Sequence, residues 1–243
     1  MINTRPFWID PAAPADAFPD VDLALREPDG LLAVGGDLGS ERLLAAYRRG
    51  IFPWYSEGQP ILWWSPDPRT VLFPADLKIS RSLRKTLNRR PFELTVDRAF
   101  DAVVAACAEP RDDNGGTWIT PAMAAAYGRL HREGHAHSIE CWREGRLAGG
   151  LYGVAIGRVF FGESMFSRET DASKVAFCHL VRQLIAWDFA LVDCQVYSTH
   201  LSSLGAERIP RGRFVGYLDI LCDQPQDNVW RFDAASLNDR WPS

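Results

Sequence analysis

Residues 159–195 constrain this chain more than any other stretch. They open VFFGESMFSRETDASK, close LVDCQ, and read as strand, helix, strand. Residues 159–166 are apolar and aromatic with one acid, Glu163. Thr170 or Asp171 is placed to cap a helix start, and Phe177, Leu180, Val181, Leu184 and Ile185 then recur at helical spacing. Residues 191–197 are rich in strand formers but enclose Asp193 and Gln195. Side chains two apart on a strand share a face, so Asp193 and Gln195 are expected to point one way, and Phe161, Glu163 and Met165 to form one row. If the two strands are parallel, the helix joins them by a right-handed crossover. Three polar groups then gather at one end of an apolar sheet. Burying them is costly unless they are paired, and such a concentration marks a candidate site.

The rest of the chain sets bounds. Its 243 residues allow one large domain or two modest ones, and 47% hydrophobic residues suffice for a core. A net charge of −4 excludes a globally basic nucleic-acid binder, so any polyanion must meet a local positive patch. Five scattered cysteines with no CxxC suit a reducing compartment. No run approaches the ~18 apolar residues of a membrane span, and the opening MINTRPFWID lacks a signal-peptide pattern. A soluble cytoplasmic protein without cofactor or metal is expected.

In chain order, residues 1–22 are Pro- and Asp-rich and are expected to lie extended on the surface. Turn signals bracket a short strand at residues 31–34, and Ser40 precedes a helix that Gly50 stops. Residues 51–55 and 61–64 read as aromatic strands, and the rigid Pro66-Asp67-Pro68 marks a boundary. The expected division is 1–66, a small α/β domain, and 67–243, a larger one. Residues 79–88 read as a helix, and Arg81, Arg84, Lys85, Arg89 and Arg90 lie there with no acid among them. Helix is also expected over residues 100–108 and from Thr120-Pro121 onward, after a polar loop at 110–117. Strands follow at 135–142 and 147–156. A short helix at 199–204 and a final strand at 214–222 complete an α+β, or mixed α/β, reading. The tail beyond Asp223 is polar and carries no legible function. His135 and His137 share a strand face, but no further ligand set has metal-site spacing. There is no GxSxG elbow, and Cys194 is expected on the strand face opposite Asp193 and Gln195.

Several blocks are specific together: EPDGLLAVGGDL, AYRRGIFPWY, WWSPDPR, GTWIT, LHREGHAHS, GGLYGVAIG, FFGESMFS, ASK, DCQV and HLSSLGAERIPR. In this order, over nearly the whole chain, they resemble the leucyl/phenylalanyl-tRNA–protein transferase family. The resemblance implies a small N-terminal domain packed on a larger GNAT-like acyltransferase domain. It also implies transfer of Leu or Phe, less readily Met, from aminoacyl-tRNA to proteins with N-terminal Arg or Lys, marking them for degradation in the bacterial cytosol. A monomer is implied.

By the same resemblance, Gln195 matches the proposed catalytic glutamine, and one family proposal has the neighbouring Asp193 polarise it into a base; Glu163 is expected to contact the amine or the cationic side chain of the acceptor. Leu151, Phe160 and Met165 match positions lining the donor side-chain pocket, with Leu184 and Val192 as weaker matches. Leu151 stands where some members carry Met. Trp54 and Trp118 match tryptophans that contact the terminal adenine, although Trp54 sits among Phe52, Tyr55, Trp63 and Trp64, where core packing competes. The basic residues of 81–90 are expected to meet tRNA phosphates.

The chemistry agrees with these roles. An ester is an activated acyl donor, and an α-amine with pKa near 8 is partly neutral at physiological pH, so positioning should dominate over base strength. A primary amide is a very poor base. Gln195 is therefore expected to align the amine by accepting a hydrogen bond, with Asp193 orienting it or holding the incoming charge. A CoA-dependent acyltransferase is the first rival, but SRETDASK has no glycine and two acids where a pyrophosphate turn would be. A non-catalytic RNA-binding module is the second; it leaves Glu163, Asp193 and Gln195 unexplained.

Overall fold

The structure, a computed structural model, describes residues 5–110 and 117–242. Most of the 110–117 loop anticipated above lies outside these residues. Strands β1 (Phe7–Ile9), β2 (Leu31–Gly35), β3 (Phe52–Pro53) and β4 (Leu62–Trp64) form a first sheet in the order β1-β2-β4-β3. Helix α1 (Ser40–Arg48) connects β2 to β3. Its N-cap is Gly39, one residue earlier than the sequence suggests, and Gly39 N–H donates to the Asp37 carboxylate at 2.6 Å. The described part of the opening segment, residues 5–22, does not simply lie on the surface. β1 pairs in parallel with β2, and Phe18 packs edge-on against the buried Trp63, with ring centroids 4.9 Å apart.

The larger sheet comprises β5 (Arg69–Leu72), β6 (Glu93–Val96), β7 (Ala136–Arg143), β8 (Arg146–Ile156), β9 (Val159–Ser167), β10 (Leu191–Gln195) and β11 (Glu207–Ile209), ordered β11-β5-β10-β9-β8-β7-β6. β7, β8 and β9 form a meander. The turn between β7 and β8 places Glu144 and Gly145 both at positive φ, the geometry that matches strand twist in a two-residue hairpin. β9 and β10 are parallel, joined by α5 (Ala172–Ala186), as residues 159–195 predict. Neither Thr170 nor Asp171 caps α5 with its side chain; the Ser167 hydroxyl accepts from Ser173 N–H, while Asp171 accepts from Thr86.

Two apolar clusters flank this sheet. One joins the N-terminal sheet and α1 to α3 (Phe100–Ala108), α4 (Pro121–Arg132) and α7 (Arg211–Leu221) through Tyr47, Trp63, Tyr127, Phe161 and Phe214. The other holds α5, α2 (Arg81–Arg89) and the C-terminal segment through Leu83, Phe177, Leu184 and Trp241. Thr120 caps α4 through Met123 N–H with Pro121 following, as read. Of residues 214–222, expected as a strand, 214–221 belong instead to helix α7 and Cys222 caps its end: Phe214, Leu218 and Leu221 are buried at intervals of four and three, the helical period. The remaining helices are α6 (Thr199–Ser203) and α8 (Ala234–Asn238). Among the described residues no helix is long and apolar enough to cross a membrane.

Candidate active site

β9 and β10 pair only from Val159↔Leu191 to Phe161↔Asp193. Beyond that register the strands part, and a cavity of about 900 Å³ opens between them. Two irregularities shape its wall. The register of β8 with β9 slips between Tyr152↔Ser164 and Gly153↔Gly162, which makes Glu163 an extra residue. The register of β10 with β5 slips between Asp193↔Val71 and Gln195↔Thr70, and Gln195 takes φ 59°.

The first slip corrects the expected row of Phe161, Glu163 and Met165. Phe161 and Glu163 both contact Tyr47, whereas Met165 pairs with Leu151 and packs against the cluster on the opposite face. A bulge reverses the alternation along a strand. One strand therefore offers a polar group to one side and cavity lining to the other. Glu163, Asp193 and Gln195 do come together, but by hydrogen bonds across these slips rather than by regular alternation. Cys194 packs with the second cluster and also lines the cavity. Burial first, and Asp193 next, push its thiol well up, which keeps it neutral.

Glu163 is nearly enclosed. Its Oε1 accepts from Tyr47 Oη at 2.7 Å and from Gln195 Nε2 at 3.0 Å; its Oε2 accepts from Tyr127 Oη at 2.6 Å. Burial raises its pKa to about 7, against the lowering effect of the two tyrosines. When Glu163 is ionised it only accepts, and the Gln195 amide then turns its nitrogen to it, as in the structure. That leaves the Gln195 carbonyl oxygen as the end that can accept from a ligand.

Asp193 is fully buried and bound in bidentate fashion by the equally buried Arg69, Nε to Oδ1 at 2.8 Å and Nη2 to Oδ2 at 2.7 Å. Asp193 Oδ1 also accepts from Gln195 N–H at 2.9 Å. Its charge is thus already matched, which disfavours the expectation that it holds an incoming cation and leaves the one that it orients Gln195.

Of the expected apolar wall, Leu151, Phe160, Met165 and Val192 line the cavity, while Leu184 is buried in the same cluster and is not among the lining residues. Phe177 of α5 lines it instead, a position that in sequence looks like any other core residue of that helix. Trp54 and Trp118 both border the cavity. Trp54 is 44% exposed, so core packing does not account for it.

Arg81, Lys85, Arg89 and Arg90 are exposed and Arg84 is half-buried on α2 and its end, apart from the cavity. Arg89 lines a smaller hollow with Arg143 and Arg168, and Arg168 borders both hollows. Sequence reading missed Arg69, Tyr47 and Tyr127. Arg69 alone left a signal, a charge heading an otherwise uncharged, buried strand.

A glutamine held at its side-chain amide by Glu163 and at its backbone by Asp193, beside an apolar hollow, is an arrangement suited to aligning one reactant against another, as in group transfer. The sequence matches the family described as leucyl/phenylalanyl-tRNA protein transferase over residues 71–219, and its N-terminal domain over residues 36–67. Proteins named leucyl/phenylalanyl-tRNA–protein transferase are similar over most of their length. That of Nitrosomonas europaea is 60% identical over 217 residues, 89% of this chain and 92% of its own. That of Methylococcus capsulatus is 62% identical over 206 residues, 85% and 88% of the two chains. This chain belongs to the leucyl/phenylalanyl-tRNA–protein transferase family. Among solved structures, "The structure of L-PGS from Bacillus licheniformis" aligns at a TM-score of 0.37 with 11% identity, over 79% of this chain and 64% of that one. A GCN5-related N-acetyltransferase from Kribbella flavida aligns at 0.31 with 12% identity, over 68% and 58%. Overlaps of that quality carry no argument; the mixed α/β assignment rests on the sheet order.

Proposed function

We propose that this protein transfers leucine or phenylalanine, and less readily methionine, from aminoacyl-tRNA to the N-terminal α-amine of proteins that begin with Arg or Lys. The amine nitrogen bonds to the ester carbonyl carbon, the bond from that carbon to the ribose oxygen breaks, and the proton that the neutral amine loses is matched by the one that the departing ribose oxygen gains to become a hydroxyl. The reaction consumes no redox equivalent and calls for no cofactor. Products so marked are destined for degradation in the bacterial cytosol, where the protein acts as a monomer. Residues 1–66 and 67–243 are its two domains, the larger one GNAT-like.

The observation that carries this reading is the Gln195 amide, fixed by Glu163 at its nitrogen and by Asp193 at its backbone, beside a cavity lined by Leu151, Phe160, Met165 and Val192. Gln195 accepts a hydrogen bond from the incoming amine and aligns it. The apolar wall takes the donor side chain. Such walls separate side chains by only about 1–3 kcal/mol per methylene, so mixed Leu and Phe acceptance is natural. Trp54 and Trp118 stack the terminal adenine, a contact worth ~1–3 kcal/mol per base. The 81–90 segment meets acceptor-stem phosphates, with Arg168 lying between it and the cavity.

Labelled leucine should move from leucyl-tRNA to an Arg-initiated peptide and not to an Asp-initiated one. Gln195→Ala should lower the rate on the order of 100-fold, the scale of lost alignment. Full turnover by that variant removes Gln195 from the reaction.

A further inference from the structure

Arg69 is the only charged residue of β5, and it is 1% exposed. Three of its nitrogens donate: two to Asp193, and Nη1 to Gly50 O at 3.1 Å. Its guanidinium also lies 4.7 Å from the Phe52 ring centroid and 4.8 Å from that of Phe214. Gly50 leads directly into Phe52, Pro53 and Trp54, which line the cavity. One side chain therefore grips both the wall that carries Trp54 and the carboxylate beneath Gln195.

The contacts of Asp193 limit what it can do. Both oxygens are engaged by Arg69, and the remaining bond of Oδ1 goes to the Gln195 backbone N–H. The Gln195 side-chain amide donates to Glu163. A carboxylate neutralised by a bidentate cation, with no contact to that amide, is poorly placed to polarise it. It is well placed to fix a backbone. Gln195 takes φ 59°, a left-handed conformation that is unfavourable for a non-glycine residue and needs outside support.

We infer that Arg69 is a positioning residue for the transfer: through Asp193 it sets the Gln195 amide in register with the Phe52 and Trp54 wall. This rests on the proposed activity of the same site. Arg69→Lys keeps the charge and loses the planar fork. With leucyl-tRNA and an Arg-initiated peptide, it should lower kcat on the order of tenfold or more, while KM for the donor changes less than about threefold. In a Gln195→Ala background the same substitution should change the residual rate by less than about twofold, because effects transmitted through one residue are not additive. Arg69→Gln with Asp193→Asn removes both charges, leaves no lone buried ion, and takes the same cycle if the lysine variant does not fold. Thermal melting verifies folding of each variant. A wild-type rate for Arg69→Lys overturns the inference. So does an equal loss with and without Gln195, the mark of a purely structural role. A wild-type protein that transfers no leucine overturns the proposed activity as well.

Discussion

Glu163 shows how much one buried carboxyl can report. Burial raises its pKa to about 7, Asp193 pushes the same way, and the Tyr47 and Tyr127 hydroxyls with Arg69 hold it back. An unfolded glutamate titrates near 4.3. Between those values the folded chain keeps a proton that the unfolded chain has lost. The stability this contributes is complete below about pH 4.3 and is lost as pH rises through about 7. Wild-type protein should therefore lose more stability than Glu163→Gln between pH 5 and pH 8, read by urea unfolding; equal losses would show that Glu163 does not titrate there. The ionised form is the one that only accepts from Gln195, so transfer should rise with pH through about 7. Tyr127→Phe removes a bond that holds the pKa down and should move that rise to higher pH, a shift readable in the pH–rate profile. Glu163, Asp193 and Gln195 were legible in sequence because each interrupts an apolar run. Their partners were not: Arg69 is 124 positions from Asp193, and Tyr47 is 116 from Glu163.

At the scale of elements, the bulge in β9 and the surface of α2 each lead to a test. Gly153 faces the bulge, and a Cβ there would lie 2.3 Å from Phe161 O and 2.6 Å from the Phe160 ring. Gly153→Ala should destabilise the fold by about 1–3 kcal/mol, the usual cost of overpacking, and raise KM for leucyl donors by displacing Phe160. An unchanged melting temperature and KM would show that the wall tolerates the shift. α2 buries Leu83 and Leu87 and exposes Arg81, Lys85 and Arg89. Reversing Arg84 and Lys85 to Glu leaves the buried leucines in place. It should raise KM for charged tRNA, most visibly at low salt, and affect a minimal aminoacyl-adenosine donor much less; equal losses with both donors defeat the phosphate assignment. Regular elements were largely legible, since their periodicity is local. The bulges were not, because a register slip is a relation between two strands.

Across the whole molecule, the C-terminal segment closes the second apolar cluster. Trp241 is buried, its backbone pairs with the Asn88 side chain of α2, and Arg182 of α5 stacks on its ring. Trp230 stacks on His137 with centroids 3.6 Å apart and packs near Phe160 of the cavity wall. A tail that reads as polar and unspecified is thus pinned to both helices of that face. Trp241→Ala should cost about 3 kcal/mol, the low end for truncating a buried tryptophan, measured by urea unfolding; a loss under about 0.5 kcal/mol, the scale of surface changes, would mean the segment is not docked.

The sequence by itself determined the mixed α/β class, the parallel strand–helix–strand unit, and which polar residues sit near its end. Hydrophobic period and isolated polar interruptions are properties of neighbouring residues. Only the tertiary structure decided that Asp193 is neutralised by Arg69, that Glu163 is caged by two tyrosines from separate helices, that Leu184 is buried in the second cluster and does not line the cavity, and that residues 214–221 are helical. Each of these depends on which distant groups share a low-dielectric interior. Pairing and desolvation there are fixed by proximity in space, which the order of residues along the chain does not encode locally.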